Sequence, residues 1–233
     1  MISFKWRHFE KDIILMLVRW YCAYSLSYRD IEELAKERGL SVDHSTINRW
    51  VIRYAPKLEE QFRKKYKRDV NGSWHMDETY LKIKGKDVYL YRAIDKIGNT
   101  VDFMLSEKRN KKAAFRFFQK AIGQHGLPEK ITLDKSGANK AGIEKMNFWL
   151  TLIFLLTGIF YQMIVRQIKY LNNGVEQDHR GIKRITKPMM GFKSFASAEA
   201  TIAGIELHRM LKKDQHKEAA NVPVFKQFYA LAV

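Results

Sequence analysis

Three carboxylates stand in settings where they can do joint chemistry. Asp77 lies within Trp74-His75-Met76-Asp77-Glu78-Thr79-Tyr80, Asp134 ends the apolar run Ile131-Thr132-Leu133, and Glu176 follows Asn172-Asn173-Gly174-Val175. Hard oxygen ligands of this kind suit Mg²⁺, which keeps part of its water shell and commonly binds substrate phosphate as well. The chain carries 42 Lys and Arg against 25 Asp and Glu, a formal net charge of +17. A basic surplus of that size speaks about partners, and the phosphate it points to is a nucleic-acid backbone. The expectation is that two aspartates at strand ends and a glutamate on a helix meet at one point and act on that phosphate.

Acidic residues are common, so each has a plain alternative as a solvated or ion-paired carboxylate. Asp77 sits between Met76 and a strand interior, where a lone charge is expensive. Its neighbour Glu78 is expected to face the opposite way, so that only one of the two joins the site. Asp134 precedes Lys135-Ser136-Gly137, a natural mouth for a site. Asp95 also ends a strand and is the rival ligand. Asp178 competes with Glu176 but points about 200° round a helix from it. His179, Arg180 and Lys183 lie three, four and seven positions after Glu176 and share its face.

The elements that must hold these residues read in two styles. Up to about residue 68 the spacing is helical. Ile13, Ile14, Leu17, Val18 and Tyr21 mark a first helix over Glu10 to Tyr24. Ser27, with Asp30 three residues on, starts a second in a loose capping box, and Gly39 ends it. Asp43 caps a third, whose stripe is Ile47, Trp50, Val51 and Tyr54, and Pro56 is expected to close it. Ser45, Asn48, Arg49 and Arg53 are left on its other faces. A short turn between the second and third helices suggests a helix-turn-helix, with Asn48 and Arg49 able to read base edges. A small helical bundle with a solvated polar face reads equally well from spacing alone. The basic run Arg63-Lys64-Lys65-Tyr66-Lys67-Arg68 is a helix end or linker, either crossing phosphate backbone or simply solvated.

The period then changes. Ser73 to Ile83, Asp87 to Asp95 and Thr100 to Leu105 are rich in β-branched and aromatic residues, with Gly85 and Gly98-Asn99 between them, so three antiparallel strands are expected. A helix over Lys111 to Gln124 and a strand over Lys130 to Asp134 follow. That order opens a ribonuclease-H-like fold. A helix over Asn173 to Ile185, capped by Asn172 or Asn173, carries Glu176. A last one spans Ser197 to Lys212, Asp214 to Glu218 reads as a linker, and the apolar end Val222 to Val233 docks at a place the sequence does not specify.

Cys22 is the only cysteine, which excludes a disulfide framework and a cysteine zinc site and fits a reducing compartment. The N-terminus lacks the layout of a signal peptide. Residues 146–165 contain no charge and are long enough to raise a membrane span. Thr151, Thr157, Gly158 and Gln162 interrupt the run, and a single span would separate Asp134 from Glu176. A buried helix or helix–strand pair is therefore expected, and no membrane.

Several blocks together carry a family resemblance. Trp74-x-Met76-Asp77-Glu78-Thr79-Tyr80, Leu90-Tyr91-Arg92-Ala93-Ile94-Asp95, Asp134-Lys135-Ser136 and Lys169-Tyr170-Leu171-Asn172-Asn173-x-x-Glu176-Gln177-Asp178-His179-Arg180 resemble the DDE transposases of the insertion-sequence-six family. So do Leu26-Ser27-Tyr28-Arg29-Asp30, Ser45-Thr46-Ile47-Asn48-Arg49-Trp50 and Gly191-Phe192-Lys193-Ser194-Phe195. The resemblance implies an α/β chain, with an N-terminal helix-turn-helix domain over 1–68, a ribonuclease-H-like catalytic domain of retroviral-integrase type over 69–213 with a mixed five-stranded sheet, and a C-terminal tail over 214–233. It implies Asp77, Asp134 and Glu176 as catalytic triad and ligands of two Mg²⁺ ions, with Mn²⁺ as a substitute. Lys183 and Arg180, together with Ser45, Asn48, Arg49 and Arg53, would contact DNA. The partners implied are double-stranded DNA, as terminal inverted repeats and as target, and a second copy in a homodimer or larger synaptic complex, in the nucleoid of a bacterial cytoplasm. The 41 residues between Asp134 and Glu176 exceed the family's usual spacing, with the excess in or near the uncharged run. A repressor that has lost catalysis, a non-transposing nuclease and a decayed copy are the alternatives.

Overall fold

Buried apolar stripes build the first part of the molecule. In this computed structural model, residues 2–4, 8–134, 137–158, 162–167, 172–219 and 221–232 are described. Two units divide the chain, one formed by residues 1–68, 83–85 and 181–233, the other by 69–82 and 86–180. In the first, α1 (Lys11–Ala23), α2 (Tyr28–Lys36) and α3 (His44–Lys65) are joined by α7 (Phe195–Lys212) and α8 (Val224–Ala230). Ser27 and Asp30 form a complete capping box for α2, and Gly39 turns out of it at φ +72°. Asp43 caps α3 by accepting from the amides of Ser45 and Thr46.

Pro56 does not close α3, which runs on for nine further residues to Lys65. A proline costs the helix one backbone donor. The second half is held by fully buried Leu58 and Phe62 and by the i, i+4 pairs Glu59–Arg63 and Glu60–Lys64. Most of the basic run's side chains thus have intramolecular partners, Arg68 being paired with Asp214 at 3.4 Å. Residues 214–218 pack closely. His216 is buried and stacked on Tyr66, the Lys217 amide donates to the Tyr66 carbonyl, and the Arg68 amide donates to that of Gln215. The terminal segment docks as α8 against α1 and α7. The true cap of α7 is Ser194, three residues before the expected start, with Ser197 completing its capping box.

Gly204, in the middle of α7, marks where three helices crowd together. A Cβ there would collide with the Cys22 sulfur of α1 and lie 2.9 Å from the Ala55 methyl of α3. Alanine is favoured over glycine by about 1 kcal/mol in a helix, but overpacking a close crossing costs about 1–3 kcal/mol. Gly204→Ala is therefore expected to lower the denaturant midpoint with an unchanged slope. An unchanged or raised midpoint would show that α7 has room to move.

The second unit is built on one sheet. Strands β1 (Ser73–Ile83), β2 (Lys86–Asp95), β3 (Thr100–Ser106), β4 (Lys130–Leu133) and β5 (Ile164–Arg166) lie in the order β3-β2-β1-β4-β5. Lys84 and Gly85, both at positive φ, make the two-residue turn that folds β2 back on β1. β3 is antiparallel to β2, whereas β4 is parallel to β1 and β5 to β4. This mixed sheet, with three antiparallel strands followed by two parallel ones, is the ribonuclease-H-like arrangement.

Helices α4 (Lys111–His125) and α5 (Gly137–Thr157) supply the core against it: Phe117, Phe118, Ile143 and Met146 pack on Trp74, Met76, Tyr91 and Leu133. Lys120 fastens α4 to β3 through the buried Asp102 at 2.9 Å. The uncharged run is a helix followed by a strand, as expected, but it is not wholly buried. Ile143, Met146 and Leu150 face inward, whereas Phe148, Trp149, Leu155 and Leu156 are exposed. A helix on an outer layer has only one face to bury, so apolar residues on its other side stay in water. Among the described residues no helix is long and apolar enough to cross a membrane.

Candidate active site

The parallel register of the sheet brings the two aspartates together. Met76 of β1 pairs with Leu133 of β4, so the next residues on each strand, Asp77 and Asp134, fall level with one another. Asp77 lies within β1 and Asp134 just past the end of β4, and their carboxylate oxygens come within 4.8 Å of one another. A slip of one residue would part them.

Helix α6 (Asn173–Thr186) brings the third carboxylate. Its first turns are fastened to the sheet at several points. Asp178 pairs with the fully buried Arg92 of β2 at 2.6 Å, and the Asn172 side-chain amide donates to the Met76 carbonyl at 3.2 Å. Asn172 therefore ties the helix to β1, where the sequence suggested a cap. His179 is buried with Nδ1 3.5 Å from Asp77 Oδ2. Glu176 is exposed. Burial first, then the charges of Glu78, Asp134 and Glu176, push the Asp77 carboxyl up to about 7. A cation nearby would favour the ionised form of such a carboxylate.

Glu78 joins the acidic group, where the alternation of β1 was expected to leave it out. Ligand oxygens of Asp77, Glu78 and Asp134 lie within 4.8 Å of one another, and Glu176 is outside that group. Glu78 keeps the parity of the core residues Trp74 and Met76, which pack against α4 and α5, while Asp77 shares that of Thr79, Leu81 and Ile83; its side chain reaches the group all the same. Glu78 Oε1 accepts from Arg109 Nε, and Oε2 accepts from Asn139 Nδ2 at 2.6 Å. Arg109 lies just before α4, whose cap is Asn110; Asn139 is in the first turn of α5 and fully buried. Both escape sequence reasoning, since a single arginine in a loop and an asparagine in a helix carry no periodic signal.

The rival Asp95 is already committed. Its two oxygens accept from the amides of Asn71, Ile97 and Asn99 and from the Asn99 side chain, at 2.8–3.2 Å, closing the β2–β3 turn. Arg180 and Lys183 are exposed on α6. On α3, Arg49 and Arg53 are exposed, with Arg49 donating to the Thr46 hydroxyl at 2.7 Å. The Ser45 hydroxyl turns back to Asp43, and the half-buried Asn48 bonds the Tyr28 hydroxyl, which leaves it less free than its spacing suggested.

The structure thus joins a mixed ribonuclease-H-like sheet to acidic side chains gathered at its central parallel strands. Known proteins resemble the chain as follows. A family model described as a DDE domain, of the IS240 type, matches residues 71–215, and one described as the transposase IS66 family matches residues 8–127. The transposase for insertion sequence-like element IS431mec of Staphylococcus aureus strain Mu50 is 41% identical over 216 residues, covering 91% of this chain and 90% of the relative. The transposase of element IS257 in transposon Tn4003 of the same species gives the same identity and coverage. Among solved structures, the HTLV-2 integrase catalytic core in complex with magnesium aligns at a TM-score of 0.38 and 15% identity, over 71% of this chain and 86% of that one. The catalytic core of BIV integrase aligns at 0.40 and 14%, over 60% and 84%.

The chain belongs to the DDE transposases. It is a DNA transposase.

Proposed function

We propose that this chain is a transposase of the insertion-sequence-six type that binds the terminal inverted repeats of its element, cleaves one strand at each end and joins the freed 3′-OH to target DNA. The observation that carries this reading is the level placement of Asp77 and Asp134 by the β1–β4 register, with α6 fastened to the same sheet through Arg92–Asp178. The residues fit a metal: ligand oxygens of Asp77 and Asp134 lie within 4.8 Å of one another, and burial first, then the charges of neighbouring carboxylates, pushes the Asp77 carboxyl up to about 7. Asp77, Asp134 and Glu176 would hold two Mg²⁺ ions, for which Mn²⁺ can substitute, and these would activate the attacking oxygen and stabilise the leaving one.

The chain's other residues bind and orient. Arg180 and Lys183, exposed on α6, are placed to hold phosphates at the element's end. Residues 1–68 act as a helix-turn-helix domain with α3 in the major groove, residues 69–213 as the catalytic domain, and 214–233 as a tail. Arg49 and Arg53 are the strongest base or phosphate contacts, with Ser45 and Asn48 in supporting roles. Water attacks a terminal phosphodiester and leaves a 3′-OH; that hydroxyl then attacks a target phosphodiester and displaces a target 3′ oxygen. Two ends must be held at once, so a homodimer or larger synaptic complex is the working form, at the nucleoid of a bacterial cytoplasm.

The test is a strand-transfer assay with Mg²⁺ on the element's own repeat and on a scrambled one. Joined product on the matched repeat supports the reading. Binding alone indicates a repressor or a decayed copy, and cutting without joining a nuclease. In the same assay Arg49→Ala is expected to lower the preference for the matched repeat by about 1–3 kcal/mol if it makes a bidentate base contact. Equal losses on both DNAs would make it a phosphate contact. Asn48→Ala should do less, because its amide is engaged with Tyr28.

A further inference from the structure

We propose that Glu78, Arg109 and Asn139 form a clamp that positions Asp134, and that Glu78 is a positioning residue and not a ligand of the metal. The proposal rests on the reading of Asp134 as part of the catalytic triad. The Glu78 side chain is 3% exposed, and both of its oxygens are taken, Oε1 by Arg109 and Oε2 by Asn139. A buried carboxylate with a hydrogen-bonded guanidinium partner is satisfied where it stands. The same two donors reach on to Asp134. Arg109 Nη2 is 3.5 Å from Oδ2, and Asn139 Nδ2 is 3.5 Å from Oδ1. Each donor therefore bridges a short contact to Glu78 and a long one to Asp134. Asp134, 35% exposed, is thereby oriented.

Two further observations support this division of labour. Asn139 is fully buried, and its Oδ1 has no hydrogen-bond partner among the described residues. Turning the amide over would satisfy nothing, because the oxygen would then face two carboxylates. Its orientation is set by the need to point N–H at Glu78 and Asp134. Glu78 also stands within 4.8 Å of the Asp77 and Asp134 carboxylates, where a third like charge repels them. A role through Arg109 and Asn139 accounts for a carboxylate kept in that place. Outer partners that orient metal ligands commonly change affinity or activity by roughly 10- to 100-fold when removed.

The experiment uses the full chain and has three readouts: strand transfer as Mg²⁺ is varied, calorimetric titration of Mn²⁺, and thermal melting. Glu78→Gln, Arg109→Gln and Asn139→Ser are compared with Asp134→Asn and Asp77→Asn. A clamp predicts that Glu78→Gln keeps the wild-type Mn²⁺ stoichiometry, binds Mn²⁺ more weakly and loses roughly 10- to 100-fold in strand transfer. It also predicts that Glu78→Gln/Arg109→Gln is no worse than the worse single variant, and that Asn139→Ser, which changes no charge, shows the same weakening. Loss of a bound Mn²⁺ in Glu78→Gln, as in Asp134→Asn, would make Glu78 a ligand and overturn the proposal. Wild-type behaviour of all three variants, or losses that multiply in the double variant, would overturn it as well. If Glu78→Gln fails to melt cooperatively, Asn139→Ser carries the decision. Full activity of Asp77→Asn or Asp134→Asn would instead sink the triad reading on which the clamp depends.

Discussion

Asp77→Asn, Asp134→Asn and Glu176→Gln are each expected to abolish strand transfer while repeat binding, measured by gel shift, stays near wild type. Losing a ligand removes several kcal/mol of transition-state stabilisation, a rate loss on the order of 10³-fold or more. The three effects should not multiply, because residues acting as one unit fail together. Stability separates this outcome from simple misfolding. The metal-free Asp77 carboxyl is pushed up to about 7 by burial and by its acidic neighbours. At and above neutral pH its charged form therefore costs folding energy that an amide does not, a difference that fades as pH falls below 7. Asp77→Asn should melt no lower than wild type at pH 8. A dead variant that also melts much lower would owe its inactivity to the fold, and full joining by Asp134→Asn would refute the site.

The second large effect is on the anchoring of α6. Arg92 is fully buried and pairs with Asp178 at 2.6 Å. Asp178→Ala leaves the guanidinium buried with that bond gone, which typically costs about 3–5 kcal/mol. Arg92→Met/Asp178→Leu should recover most of the loss, because two apolar groups replace a pair whose desolvation offset much of its attraction. Glu176→Gln, two residues away and exposed, should scarcely move the denaturant midpoint. Equal midpoint shifts for Asp178→Ala and Glu176→Gln would refute this separation of an anchoring carboxylate from a catalytic one.

How far the sequence led can be judged from particular residues. Strong periodicity placed β1 at its observed bounds and the other elements given bounds within a few residues, the end of α3 excepted. Asp77 and Asp134 were visible because each adjoins an apolar strand. The register that sets them level was not, since strand pairing is a property of distant segments. Glu78 alternates with Asp77 as expected, yet beyond the end of β4 its side chain still reaches the acidic group, because alternation gives a direction and not how far a side chain extends. Pro56 misled for a related reason: its local penalty is real, but Leu58 and Phe62 outweigh it through tertiary burial. The run 146–165 was legible as a helix and a strand. Its exposed face was not, because composition says what a helix contains and not how many neighbours it has. Gly204 carried no local signal, as its reason lies on two other helices.

The crossing at Gly204 also makes Cys22 a clock. Its thiol is fully buried against α7, burial pushes its pKa up to about 12, and no second cysteine competes with it. Only a thiolate reacts readily with an alkylating reagent, so the closed protein is chemically silent there. Modification then proceeds through openings that part α1 from α3 and α7, and its rate counts how often they occur. A single mass-spectrometric time course can thus follow the breathing of the helical unit separately from the sheet that carries the carboxylates, with no label introduced.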